Sequence, residues 1–167
     1  MGFKLVTRVG MHTRDPRVLA ELAQGFLRGV VASNRITIRN AKRRGKPIPL
    51  LYASGVVWEP EPWAGRFEEF ADIVTVLRRG WGDCDDLCAW RCAELQEAGE
   101  PADVRLYWRP PKPNKGHMFH VEVRRATTCP ACGLMQGHPD IPHPVCSRCS
   151  KPIPRGHIED VSRFIGL

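Results

Sequence analysis

The chain contains no run of about 18 apolar residues, so nothing in it reads as a bilayer-crossing helix. Its opening stretch, MGFKLVTRVGMHTRDP, lacks the apolar centre of a secretory leader, and export is not expected. No internal repeat of solenoid length is present, which argues against a stacked array. Nor do the cysteines come in an even number. Seven thiols cannot all pair, and a thiol-rich chain without a leader suits a reducing compartment.

What is present reads as an ordinary globular protein. At 167 residues, with 43% hydrophobic and 26% charged residues, the chain suits one domain with room for a small appendage. It is long enough to bury a core without disulfide staples. Formal net charge is +7. Part of that excess is local, with Arg35, Arg39, Lys42, Arg43, Arg44 and Lys46 lying close together. Such a stretch, 35–46, is a candidate footprint for nucleic acid or another polyanion. Its plain alternative is a solvated helix end and loop.

Several elements can be placed from pattern. Residues 3–9 suggest a short strand. Asp15-Pro16 reads as an N-cap followed by proline at the first helical position. Leu19, Leu22, Phe26, Val30 and Val31 recur at helical spacing, predicting a helix from 16 to 33 that continues to about residue 44. Residues 45–65, rich in proline and glycine, form a connector. A second helix is expected over 66–79 and a third over 84–98, closed by Gly99. Strands are expected at 103–108, 118–125 and 157–161. Residues 126–156 differ in character, being rich in Cys, Pro, Gly and His without helical or strand period, and read as an insertion.

That insertion carries Cys129, Cys132, Cys146 and Cys149 as C-x2-C-x13-C-x2-C. Two residues between thiolates let one tight turn aim both sulfurs at a single ion, and a second turn completes a tetrahedron. The expectation is a closed, structural zinc site that folds a segment too small for its own core. His138 and His143, in the intervening loop, are alternative ligands, and two disulfides are the alternative chemistry.

The other chemical signal is "GWGDCDD". Gly80 and Gly82 allow a sharp approach, and Asp83 is placed to cap a helix starting at Cys84. A thiol there meets the positive end of the helix dipole, which favours thiolate. Asp83, Asp85 and Asp86 oppose this, so a thiolate needs a positive partner, usually a histidine. His120 is the candidate, mid-strand in "MFHVEV". Asp160 in "HIEDV", on the neighbouring strand, is the candidate to orient the imidazole. Each also has a plain reading: a buried small thiol, a half-exposed strand histidine and a strand-end cap. Cys88 and Cys92, following on the same face, read as core. His117 stands second to His120.

The order of "GDCDDLCAWRCAELQEAGEPADVRL", "FHVEVRR" and "IEDVSRFIGL" resembles the transglutaminase-like (papain-like) cysteine-enzyme superfamily. It is most similar to the small members encoded by tailed bacteriophages and prophages. "LYASGVVWEPEPW" and "FADIVTVLRRGWGD" also look like that group's lead-in. The resemblance covers 50–125 and 157–167. It implies an α+β core with a helix packed on an antiparallel sheet, residues 1–125 and 157–167 forming the enzyme-like domain and 126–156 a zinc-ribbon insertion. It implies Cys84 as nucleophile, His120 as base and Asp160 as orienting acid. The insertion replaces the short turn normal at that place. Oxyanion donors are not fixed by the motif; the Cys84 backbone N–H and the indoles of Trp58 and Trp81 are candidates.

The expected function is acyl transfer on an amide, by hydrolysis or transamidation, in a host-cell cytoplasm or associated with a virion. A protein or peptide would be the substrate. The alternative is a non-catalytic virion or assembly protein that uses fold and ribbon to hold a phage structural protein or DNA. A third possibility is a nucleic-acid-binding zinc protein with an idle triad.

Overall fold

The computed structural model describes residues 15–62, 69–109, 118–133, 135–137 and 145–165. The strand expected at 3–9, His117, His138 and His143 lie outside these residues. The architecture is α+β.

Helix α1 spans Pro16–Arg43, and the Asp15 side chain accepts the Arg17 N–H at 2.8 Å. Its buried stripe is Ala23, Leu27 and Val31. Leu22 and Phe26, expected on that stripe, are partly exposed instead, with the Phe26 ring stacked on Phe70. The reason is polar. Gln24 also turns inward, donating to Val104 O at 2.7 Å and accepting from Leu106 N at 2.9 Å. A glutamine amide thus takes the place of a further strand along a sheet edge, which an apolar-period reading cannot see. Asn34 acts similarly, its Oδ1 accepting the Ile73 N–H at 3.0 Å.

A 3-10 turn at Leu51–Ala53 leads to β1 (Val57–Trp58), which pairs in parallel with β2 (Trp81–Gly82). Between them lies α2, Ile73–Arg79. This helix starts later than the expected residue 66. Asp72 caps it by accepting the Thr75 N–H at 2.8 Å, while Phe70 and Ala71 are buried ahead of the first turn. Residues 63–68 lie outside the described ones.

Helix α3, Cys84–Glu97, is the centre of the molecule. Leu87, Cys88, Ala89, Trp90, Cys92 and Ala93 are all fully buried, because α1 packs on one side and the sheet on the other. It ends with Gly99 and a Glu100 N–H to Leu95 O bond of 2.8 Å. Each large apolar side chain buried here contributes about 1.5–3 kcal/mol.

The sheet has strands β3 (Ala102–Arg109), β4 (Met118–Arg125) and β7 (His157–Glu159), antiparallel in the order β3-β4-β7. Val104 pairs with Val123 and Leu106 with Val121, placing four buried side chains on the core face. Tyr107 pairs with His120 on the alternate face. After Val161, fully buried, a short α4 covers Ser162–Ile165.

Between β4 and β7, strand β5 (Thr127–Thr128) pairs with β6 (Met135–Gly137), and Val145 bridges Pro152. This segment buries Cys129, Cys146 and Ile153 as a cluster separate from the main core. Among the described residues, no helix is long and apolar enough to cross a membrane.

Candidate functional site

The start of α3 is set by a tight approach. A Cβ on Gly82 would stand 3.0 Å from Leu87 Cδ2, so any larger residue here would press on that leucine and on the Asp86 Cβ. Asp83 occupies the N-cap position as expected, but its side chain makes no capping bond. Cys84 follows, half-buried and packed against the main core.

One turn on, Cys88 Sγ donates to Val121 O at 3.3 Å, pinning the helix to β4 beside His120. Burial pushes the Cys88 thiol well up, and the nearby charges of Cys84 and Asp160 push it the same way. Cys92 is also buried and pushed up to about 12. Neither inner thiol is suited to nucleophilic work, as their core reading requires.

His120 and Asp160 meet. His120 Nε2 lies 3.3 Å from Asp160 Oδ2, with both side chains largely buried. Asp160 Oδ1 accepts the Ser162 hydroxyl at 2.6 Å, and Arg163 Nε lies 3.2 Å from Oδ2. Burial raises the Asp160 carboxyl, but Ser162, His120 and Arg163 outweigh it and hold it below the usual range. The Tyr107 ring meets the imidazole edge-on, centroids 5.4 Å apart. The carboxylate of Asp160 thus orients the imidazole of His120.

Behind Asp160 lies a network that sequence reading missed. Glu159 points to the core face, where Arg91 Nε reaches it at 2.8 Å, and the Tyr52 hydroxyl donates to it. Arg91 also holds Glu94 at 3.1 Å, whose Oε1 accepts the Leu51 N–H at 2.6 Å. The only sequence signal for this was Glu159 alternating with Asp160 in "HIED".

A second cluster surrounds the α3 start. Asp83, Asp85 and Asp86 bring carboxylate oxygens within 4.8 Å of one another. Asp86 is a structural hub: it accepts the Ala71 N–H at 2.6 Å and pairs with Arg79. Burial, first, and then the Asp83 charge raise both Asp85 and Asp86 well above ordinary carboxyls. Glu61 is pushed to about 7 by burial and by Asp83. Of the indole candidates, Trp58 Nε1 is buried with no hydrogen-bond partner, whereas the Trp81 ring lies under the Arg79 guanidinium at 3.8 Å.

The four insertion cysteines converge. Cys129 and Cys149 sulfurs are 3.6 Å apart, and those of Cys132 and Cys146 are 3.4 Å apart. A disulfide needs about 2.05 Å, so these are free thiols. Sulfurs at about 2.3 Å from one zinc ion stand about 3.8 Å apart in a tetrahedron, close to the spacing found. Each C-x2-C forms the same knuckle. Gly133 N donates to Cys129 O and Ser150 N to Cys146 O, both at 2.8 Å, and both residues have positive φ, 70° and 56°. Burial pushes the Cys146 thiol up, but the N–H groups of Cys149 and Arg148 prevail and bring it to about 6. The donor set fits zinc, with no fifth protein ligand needed.

The basic stretch is divided. Arg35 and Arg39 both bind Glu97 of α3, at 2.7 and 2.9 Å. Lys42, Arg43, Arg44 and Lys46 are exposed.

No family model matches the chain, and neither does any curated protein or solved structure.

Proposed function

We propose that the chain is a cysteine acyl-transfer enzyme of the transglutaminase-like, papain-like type, with a zinc ribbon inserted in its terminal hairpin. The observation that carries this reading is the His120–Asp160 pair, at 3.3 Å, on a strand to which the Cys84 helix is tied through the Cys88–Val121 bond. Asp160 engages Nε2, which leaves Nδ1 as the nitrogen to take the Cys84 proton. The carboxylate fixes the ring and stabilises the imidazolium once formed. The thiolate attacks an amide carbonyl, and His120 protonates the leaving amine. Water then releases the acyl group by hydrolysis, or a second amine accepts it in transamidation. The tetrahedral oxyanion finds donors in the Cys84 backbone N–H and the Trp58 indole, whose N–H is buried and unsatisfied in the resting protein.

Cys129, Cys132, Cys146 and Cys149 would hold one zinc ion. With four thiolates there is no open coordination position, so the ion stabilises the ribbon rather than taking part in catalysis.

The test is selective alkylation. Iodoacetamide should label Cys84 ahead of Cys88 and Cys92, and His120→Ala should slow it. Equal labelling of all three, or a rate indifferent to His120, would overturn the enzyme reading. A binding role, for a phage structural protein or DNA, is favoured by one observation: the exposed basic end of α1. In that case Cys84→Ala retains function, and neutralising Arg43 and Arg44 weakens a salt-dependent interaction with DNA.

A further inference from the structure

We propose that Asp83, Asp85 and Glu61 form a binding site for a hard divalent cation, of the Ca2+ or Mg2+ class, at the start of α3. The starting point is a set of polar atoms that the fold leaves unsatisfied. Asp85 is 2% exposed, and among the described residues its buried carboxylate oxygens have no hydrogen-bond partner beyond the neighbouring Asp83 carboxyl. Asp83 stands at the N-cap but does not cap, and its Oδ1 is likewise buried and unpartnered. Helix-start acids ordinarily spend their oxygens on the free backbone N–H groups. These two turn instead toward each other, with ligand atoms within 4.8 Å.

Glu61 adds an independent observation from another segment. It lies beyond β1, is 5% exposed, and its Oε1 is buried without a partner. Of its neighbours, Asp83 acts on it most strongly. Asp83 and Asp85 thus share ligand distance at the α3 start, and Glu61, from another part of the chain and near enough for the Asp83 charge to act on it, also keeps an unused oxygen. Buried groups in native proteins rarely go unpaired, and ionised ones least of all.

Among the described residues, Glu61, Glu69, Asp83, Asp85 and Asp86 gather here with Arg79 as their cation. It is already engaged by Asp86, by Glu69 at 3.9 Å and by the Trp81 carbonyl at 2.7 Å. The α3 N-terminus supplies only about half a positive charge. One proton shared between Asp83 and Asp85 would satisfy one oxygen of each, leaving the second oxygen of Asp85 and Oε1 of Glu61 without a partner among the described residues. A cation satisfies them all. The donors are oxygens only, which selects Ca2+, Mg2+ or Mn2+ over the thiophilic zinc of the four-cysteine site. The site does not depend on Cys84 being a nucleophile, although it brackets that residue on both sides.

The test uses the full chain with its cysteine site loaded with zinc. Terbium, excited through the tryptophans, should give saturable luminescence that Ca2+ displaces, and calorimetry should give a matching Ca2+ isotherm. Glu61→Gln and Asp85→Asn should each weaken binding by about tenfold or more. Cys129→Ser should leave it unchanged. Should Asp85→Asn not fold, Glu61→Gln and the Ca2+-dependent rise in the wild-type melting temperature decide the matter. Absence of saturable binding of Ca2+, Mg2+ and Mn2+ at millimolar concentration overturns the proposal. So does binding that Glu61→Gln leaves intact, or that Cys129→Ser abolishes.

Discussion

Arg91 Nε lies 2.8 Å from Glu159 Oε1, tying the middle of α3 to the end of the strand that leads into Asp160. The pair is largely shielded, with side-chain exposures of 19% and 7%. Neighbouring residues along β7 thus have separate tasks: Glu159 anchors the strand to the core, and Asp160 faces the imidazole.

Truncating Arg91 should therefore cost more than its own packing. Arg91→Ala leaves Glu159 and Glu94 without their shared cation, and breaking such a pair costs about 3 kcal/mol or more. Urea denaturation should read this as a lower midpoint at unchanged slope. Arg91→Lys should recover part of it, because one ammonium cannot reproduce the two-sided reach of the guanidinium. A loss below about 0.5 kcal/mol, the range of an ordinary surface change, would mean the network is ornamental.

Thiol reactivity should separate three cysteines that sequence spacing places on one helix face. Cys88 and Cys92 are both fully buried. Burial also pushes both thiols up. Cys84 is the half-exposed one. Mass spectrometry after brief alkylation at neutral pH should find the label on Cys84. Asp160→Ala should reduce that rate by about a hundredfold, the range for losing a positioned acid–base partner. Label appearing first on Cys88 would show that the helix start opens before the thiol reacts.

The acid limb of stability should carry the signature of Asp160. Its carboxyl is held below the unfolded value of about 3.9. A depressed carboxyl contributes stability that is complete above the unfolded pKa and is lost as pH falls through the folded one. Melting temperatures between about pH 5 and 2 should accordingly fall less steeply for Asp160→Asn than for the parent. Parallel curves would mean that Ser162, His120 and Arg163 do not hold the carboxylate in solution.

The comparison of sequence with structure divides along one physical line. Local signals were legible: Asp15-Pro16 at the start of α1, Gly99 at the end of α3, and β4 at 118–125. Each depends on a backbone rule that operates within a few residues. The convergence of four cysteines was legible for the same reason, since C-x2-C is a local turn used twice. Side-chain polar bonds across long separations were not. Gln24 sits in an apolar-looking helix, yet bonds β3 from 80 residues away. Asp83 had the position of a cap, but it makes no capping bond and lies instead within ligand distance of Asp85 and Asp86. The start of α2 was placed too early because Phe70 and Ala71 continue the apolar period, although they are buried ahead of the helix that Asp72 caps.

The two cysteine knuckles permit a final test, because the same turn is built with different residues. Gly133 and Ser150 occupy equivalent places, each donating its N–H to the carbonyl of the first cysteine and each at positive φ. For serine that conformation costs about 1–2 kcal/mol, a penalty glycine escapes. Ser150→Gly should therefore tighten zinc binding measured by chelator competition, and Gly133→Ala should weaken it, each by about tenfold, the equivalent of 1.4 kcal/mol. The two changes combined measure how far the knuckles, which share one ion, act independently: near-cancellation means that they do, and a residual effect is their coupling. If Ser150→Gly loosens the metal, the serine hydroxyl supports the knuckle in a way that outweighs its backbone cost, and the equivalence of the two turns ends at the backbone.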